Sequence, residues 1–290
     1  MKLAHLLKTE SVRPYEVVGA EEYEDKLNSL DITGVAFDSR RVLPGYLFVC
    51  IPGFQVDGHD FAKNAVDQGA VALVVEREIE GLPVEIVQIK VDDARKRLGH
   101  LAARFYDYPA SRLATVGITG TNGKTSTAFL CETVLSRADQ APGLIGTIRA
   151  KVGDAERTVQ NTTPEASDLQ ELLSDMVNAG NRSVVMEVSS HALALHRVAG
   201  IPFDVAVFTN LSQDHLDFHE SMEEYFETKK SLFTGLGQDW SRPAPPYAII
   251  NFDDPYAERI LEDIKVPYIT YGFKEGAHIR ATNLEFGPEG

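Results

Sequence analysis

Residues 117–126 of this 290-residue chain read Gly-Ile-Thr-Gly-Thr-Asn-Gly-Lys-Thr-Ser. Glycines at this spacing let the backbone curl until successive N–H groups face an anion, and a helix starting at the end of the loop adds positive potential. Lys124 can then reach terminal phosphates, and the Thr125 hydroxyl can ligate Mg²⁺. The chemistry expected is the binding of ATP, with Gly120, Thr121, Asn122, Gly123, Lys124, Thr125 and Ser126 as its cradle. The spacing is not that of a regular P-loop, because Ile118 stands five positions before Gly123. A strand before the loop, Gly-Lys-Thr within it and a helix after it favour a phosphate site over an unliganded turn.

Two more side chains fall where such a site needs them. In nucleotide-binding α/β sheets, functional groups gather at the carboxyl ends of the strands. Glu187 ends the strand Val184-Val185-Met186, and Asn210 ends the next strand and leads towards His215. A carboxylate and an imidazole arriving there could hold Mg²⁺, although oxygen is its usual ligand. His215 is open to a second reading, as a hydrogen-bonding loop residue. Lys229 is a further candidate. In the segment 222–236 the apolar residues Met222, Tyr225, Phe226, Leu232, Phe233 and Leu236 make a helical stripe. Lys229 falls in the middle of that stripe, whereas Lys230 points to one side. A lysine there either snorkels to the surface along its stem or stays neutral, with a depressed pKa that leaves it reactive towards CO₂. The pattern does not choose between these.

These residues need elements to position them, and the sequence supplies an alternation of strand-like and helix-like segments. Strands are expected at 32–37, 47–51, 72–75 and 85–91, with helices at 61–68 and 93–105. A break at 106–111, Tyr-Asp-Tyr-Pro-Ala-Ser, marks a domain boundary. A fresh series follows, with strands at 113–119, 183–188, 205–209 and 247–250. Its helices begin at about Lys124, at Glu165 (running to Ala179) and after an N-cap at Asp254 (running to Ile264). The fold expected is α/β: a small α/β domain over 1–110, then an ATP-binding domain over 111–290 with a mainly parallel sheet. No closing element is evident over 281–290, so a chain cut short is expected.

Composition narrows the partners. A formal net charge of −15 disfavours nucleic acid and anionic membrane. No apolar run approaches a membrane span, and the start Met1–Lys8 lacks the apolar length of a signal peptide, so a cytoplasmic protein is expected. The two cysteines, Cys50 and Cys131, lie in apolar segments and read as small hydrophobes, not as a disulfide or metal site.

Taken together, the loop at 117–126, Glu187, His215 and Tyr225-Phe-Glu-Thr-Lys229 resemble the Mur ligase family. The resemblance implies a carbamylated Lys229 holding a second Mg²⁺ beside a first at Thr125 and Glu187, with His215 also a ligand. It implies catalytic roles for Lys124, Lys229 and His215, and a place near the adenine for Asn251. Asp38-Ser39-Arg40 and Gly53-Phe-Gln55-Val-Asp-Gly-His59 are similar to the family's uridine-diphosphate-binding first domain. Asn161-Thr162-Thr163-Pro-Glu and Glu187-Val-Ser189-Ser-His-Ala-Leu are similar to the substrate segments of its tripeptide-forming branch. On that likeness Ser39, Arg40, Gln55, Asn161, Thr162, Thr163, Ser189 and Arg197 bind substrate. The implied substrates are ATP, UDP-N-acetylmuramoyl-L-alanyl-D-glutamate and an amino acid, diaminopimelate or lysine. They are joined through an acyl phosphate in peptidoglycan precursor synthesis. Leu195 departs from the pattern, since some members have a glutamine there. Alternatives are the D-alanyl-D-alanine-adding branch, folylpolyglutamate synthase, and a non-catalytic fragment that binds ATP and UDP-sugar.

Overall fold

The computed structural model describes residues 1–8, 15–18, 23–53, 56–159, 161–238, 240–285 and 287. The chain divides into two compact units. The first comprises Met1–Pro109 with Glu165–Ser174 and Leu195–Ile201, and the second Ala110–Pro164, Asp175–Ala194 and Pro202–Gly290.

The first unit carries strands β1 (Glu16–Val17), β2 (Gly34–Ala36), β3 (Tyr46–Val49), β4 (Ala70–Val75) and β5 (Val87–Lys90) in the order β1-β5-β4-β3-β2. All neighbours run parallel except β1, which is antiparallel to β5. Its helices are α1 (Leu3–Leu6), α2 (Tyr23–Ser29), α3 (Ala62–Asp67) and α4 (Ala94–Phe105). Successive strand residues point to opposite faces, and both faces are covered. Leu47, Val49, Val74 and Ile89 pack with Leu98 and Leu101 of α4. Phe48, Cys50, Leu73 and Val75 pack with Ala62 and Ala65 of α3. Burial on both sides is why these strands read as unbroken apolar runs and not as alternating ones.

The second unit holds a nine-stranded sheet made of β6 (Ala114–Thr119), β7 (Pro142–Ile145), β8 (Ala150–Val152), β9 (Ala155–Arg157), β10 (Ser183–Glu187), β11 (Val205–Phe208), β12 (Tyr247–Asn251), β13 (Tyr268–Gly272) and β14 (Ile279–Arg280). The order is β14-β13-β12-β11-β6-β10-β7-β8-β9, parallel except for the pairings of β7 with β8 and β8 with β9. The remaining helices are α5 (Lys124–Arg137), α6 (Ala166–Asn178), whose residues are divided between the units, α7 (Ser190–Ala194), α8 (Met222–Thr234) and α9 (Ala257–Leu261). In register, Glu187 of β10 lies opposite Ile118 of β6, and Phe208 of β11 opposite Thr119. The carboxyl ends of three neighbouring strands therefore finish level with the glycine-rich loop.

One helix differs from its sequence expectation. Asp254 does not cap a helix running to Ile264: α9 is short, and the Asp254 carboxylate accepts Tyr256 N–H at 2.8 Å and Leu211 N–H at 2.7 Å. The acid is divided between a local turn and the segment after β11. Both cysteines are free, Cys50 buried and Cys131 half-buried. Among the described residues no helix is long and apolar enough to cross a membrane.

Candidate functional site

The loop between β6 and α5 is shaped by its glycines and pinned by the end of β11. Gly120 has φ +145° and Gly123 φ +82°, both in the region that favours glycine. A Cβ on Gly120 would run into Thr209 Oγ1. Thr209 Oγ1 donates to Asn122 O at 2.7 Å, and Asn210 exchanges two bonds of 3.0 Å with the Asn122 backbone. The Lys124 amine folds back on the loop, donating to the carbonyls of Gly120 (2.9 Å) and Thr121 (2.8 Å). Burial lowers its pKa, which the Glu187 and Asp214 carboxylates partly counter. Ser126 is exposed in the first turn of α5.

Glu187 is 1% exposed and stands at the centre of a hydroxyl network. Its Oε2 accepts from Thr125 Oγ1 (2.9 Å) and Thr147 Oγ1 (3.1 Å), and its Oε1 from Thr147 N (2.9 Å). Thr163 Oγ1 donates to the Glu187 carbonyl at 2.8 Å. None of the carboxylate's hydrogen bonds comes from a cation among the described residues. A buried anion held only by neutral donors, beside a threonine hydroxyl, is a donor set that suits a hard divalent cation. Among the described residues no group of three or more His, Cys, Asp and Glu side chains is arranged to hold a metal. A metal here would therefore need the hydroxyl of Thr125 or a modified lysine as well.

The structure brings Lys229 to the same loop. It is 1% exposed, its amine donates to Gly120 O at 3.0 Å, and it lies 4.7 Å from the centre of the Tyr225 ring. Burial first, and then the nearby Lys124 charge, push its pKa down to about 7, with Asp214 opposing. The amine does not snorkel out. Lys230 is also buried, but its amine reaches Asp263 and, at 3.3 Å, Glu227. The Tyr225 hydroxyl meets Thr121 Oγ1 at 3.2 Å, tying α8 to the loop. His215, with φ +51°, is partly exposed and packs edge-on to His191 at 4.9 Å. A cavity of about 270 Å³ is lined by Lys124, Thr125, Thr147, Thr162, Glu187, Ser189, His215 and Lys229, among others.

The other expected residues fall as follows. Asn251 ends β12 and donates to Thr209 O at 2.7 Å, while its Oδ1 accepts Asp253 N–H at 3.1 Å. Asn161 is exposed, and Ser189 Oγ accepts Ala192 N–H at 3.1 Å in the first turn of α7. In the first unit, Ser39 and Arg40 line a cavity of about 460 Å³ together with Arg95 and Glu165. Arg197, also of that unit, pairs with Glu165 at 2.6 Å. Gln55 lies outside the described residues. Sequence reading missed Thr147, Thr209 and the hydroxyl role of Tyr225. Thr147 follows a strand that opens with Pro142-Gly143, so its position at a strand end was hidden.

Comparison with known proteins places the chain in a family. The Mur ligase middle domain matches residues 118–290, and the Mur ligase family catalytic domain matches residues 31–106. The chain belongs to the Mur ligase family. As a Mur ligase it is 46% identical over 275 residues to the UDP-N-acetylmuramoyl-L-alanyl-D-glutamate–2,6-diaminopimelate ligase of Caldanaerobacter subterraneus subsp. tengcongensis, covering 94% of this chain and 55% of that protein. The ligase of the same name from Geobacillus thermodenitrificans is 47% identical over 260 residues, covering 90% and 53%. This Mur ligase chain thus spans about half the length of the curated relatives it matches. A solved structure of a ligase of that name superposes with TM-score 0.70 at 28% identity, over 84% of this chain and 49% of the other. MurF from Acinetobacter baumannii shares the fold, with TM-score 0.62 at 21% identity over 97% and 55%.

Proposed function

We propose that this chain is the substrate-capturing and nucleotide-binding part of an ATP-dependent amide ligase. In this reading the ligase adds the third residue to UDP-N-acetylmuramoyl-L-alanyl-D-glutamate, a cytoplasmic step of peptidoglycan precursor synthesis. The observation that carries this reading is the convergence of Lys124, Lys229 and the Thr125–Glu187 pair on one glycine-rich loop. Curated relatives named for 2,6-diaminopimelate support that amino acid over lysine.

The family resemblance supplies the residue roles, and the placement of the loop, Glu187 and Lys229 supports them. The loop N–H groups and Lys124, released from the carbonyls of Gly120 and Thr121, bind the triphosphate. Asn251 would lie beside the adenine. Thr125, Glu187, His215 and a carbamate on Lys229 would hold two Mg²⁺ ions, which when bound offset charge on the transferring phosphoryl group. Carbamate formation joins the neutral Lys229 amine to CO₂ with loss of one proton, and burial lowers the amine's pKa to about 7, so that a large share of it is neutral near that pH. Ser39, Arg40 and Gln55 bind the UDP-sugar, and Asn161, Thr162, Thr163, Ser189 and Arg197 the muramoyl-dipeptide. The terminal phosphoryl passes to the D-glutamate side-chain carboxylate, and the incoming amine then displaces phosphate. Positioning and electrostatic stabilisation supply most of the catalysis in such transfers.

Calorimetric titration tests this reading. UDP-muramoyl-dipeptide is expected to bind at least about tenfold tighter than UDP-muramoyl-tripeptide, a difference of about 1.4 kcal/mol. Tripeptide preference would move the assignment to the D-alanyl-D-alanine-adding branch, and binding of neither would reject it. Lys124→Met should weaken ATP binding roughly 10- to 100-fold, the usual worth of a charge-assisted bond.

A further inference from the structure

Thr147 is absent from every role assigned above, yet it is the only residue whose hydroxyl touches both Glu187 and Thr162 among the described residues. Thr147 Oγ1 donates to Glu187 Oε2 at 3.1 Å and lies 3.1 Å from Thr162 Oγ1, while its backbone N–H holds Glu187 Oε1 at 2.9 Å. Its neighbour Gly146 leaves no room for error, since a Cβ there would run into Glu187 Oε1. All three residues line the cavity beside the glycine-rich loop.

Counting protons gives this chain of groups a direction. A carboxylate only accepts, so the single Thr147 hydroxyl proton is committed to Glu187. The contact between Thr147 and Thr162 must then use the Thr162 proton. The Thr162 hydroxyl is left with lone pairs and no hydrogen to offer, so the partner that this oxygen can take from the cavity is a donor. Thr125 points its proton at the same Glu187 oxygen from the other side, at 2.9 Å. The ordered series is thus Thr162 to Thr147 to Glu187, with Thr125 meeting it at the carboxylate.

We propose that Thr147 is a positioning residue that sets this order, so that Thr162 accepts an amide N–H of the peptide part of the acceptor substrate and its occupancy is transmitted through Glu187 to the nucleotide side. The inference rests on the function proposed above. Hydrogen-bonded groups polarise one another, so strengthening the bond at Thr162 alters the donors on Glu187 and through them Thr125.

The test is calorimetry on this chain with a non-hydrolysable ATP analogue and Mg²⁺, titrated with and without saturating UDP-muramoyl-dipeptide. The wild-type chain is expected to bind the analogue at least about fivefold tighter when the dipeptide is present, the low end of ordinary coupling between sites. Thr147→Val keeps the shape but not the hydroxyl and should bring that ratio to within twofold of one. Thr147→Ser should restore it, and Thr162→Val should abolish it without touching Glu187. Two ligands that bind the wild-type chain with no coupling, or a Thr147→Val chain that keeps the coupling, would overturn the inference and leave the functional reading standing. A wild-type chain that binds neither ligand overturns both.

Discussion

At the scale of single residues, Lys229 carries the clearest conflict between stability and function. A buried amine with pKa about 7, against an ordinary value of 10.5, binds fewer protons in the folded chain than in the unfolded one between those two values. Stability from this group therefore rises with pH across that window, by at most about 1.4 kcal/mol per pH unit. At and below pH 7 the burial penalty is present in full. Lys229→Met, close in shape and without charge, should melt at a higher temperature than the wild-type chain at pH 7. Its advantage should shrink as the pH approaches 10, measured by thermal melts across pH. The same substitution should remove the carbamate resonance that ¹³C-labelled bicarbonate is expected to give with the wild-type chain. A Met variant less stable than wild type at pH 7 would mean that the Gly120 hydrogen bond outweighs the burial of the amine.

At the scale of elements, the loop between β6 and α5 is fixed by backbone geometry before any ligand arrives. Gly120 combines φ +145° with a neighbour, Thr209 Oγ1, in the space a Cβ would fill. Gly120→Ala should destabilise the second unit by roughly 1–3 kcal/mol, and it should weaken ATP binding because Lys124 and Lys229 both rest on the Gly120 carbonyl. Denaturant unfolding and nucleotide titration check the two parts separately. The sequence made much of this loop legible, because glycine, lysine and threonine at that spacing reflect backbone demands local to ten residues. The strands read well for a similar reason: β3, β4, β10 and β11 are buried on both faces, which leaves apolar runs. The antiparallel extension β7-β8-β9 was not legible. It is built from short strands, with Pro142 and Gly143 at its start and β9 exposed throughout. Gly143 is there because a Cβ would come within 2.6 Å of Met176 Sδ, a packing demand set by a distant helix. The Asp254 turn failed for the same kind of reason, since one carboxylate oxygen serves Leu211, 43 positions away.

At the scale of the whole chain, each unit has its own sheet and its own core. The clusters around Leu47 and Phe48 belong to the first, and the cluster around Ile118, Leu144 and Val185 to the second. A ligand that binds only a folded unit stabilises that unit in proportion to its occupancy, by about 2.7 kcal/mol at a hundredfold excess over Kd. For units of this size that shift is roughly 5–10 °C in Tm. The two units should answer to different ligands. Mg²⁺ with an ATP analogue acts through the loop of the second unit and should raise one calorimetric transition by that amount. UDP alone acts through the cavity lined by Ser39, Arg40 and Arg95 in the first unit and should raise the other. Lys124→Met should erase the first response and keep the second, which ties each transition to its site. A single transition that rises equally with either ligand would show that the two cores melt together, and the assignment of ligands to units would then rest on the Lys124→Met chain alone.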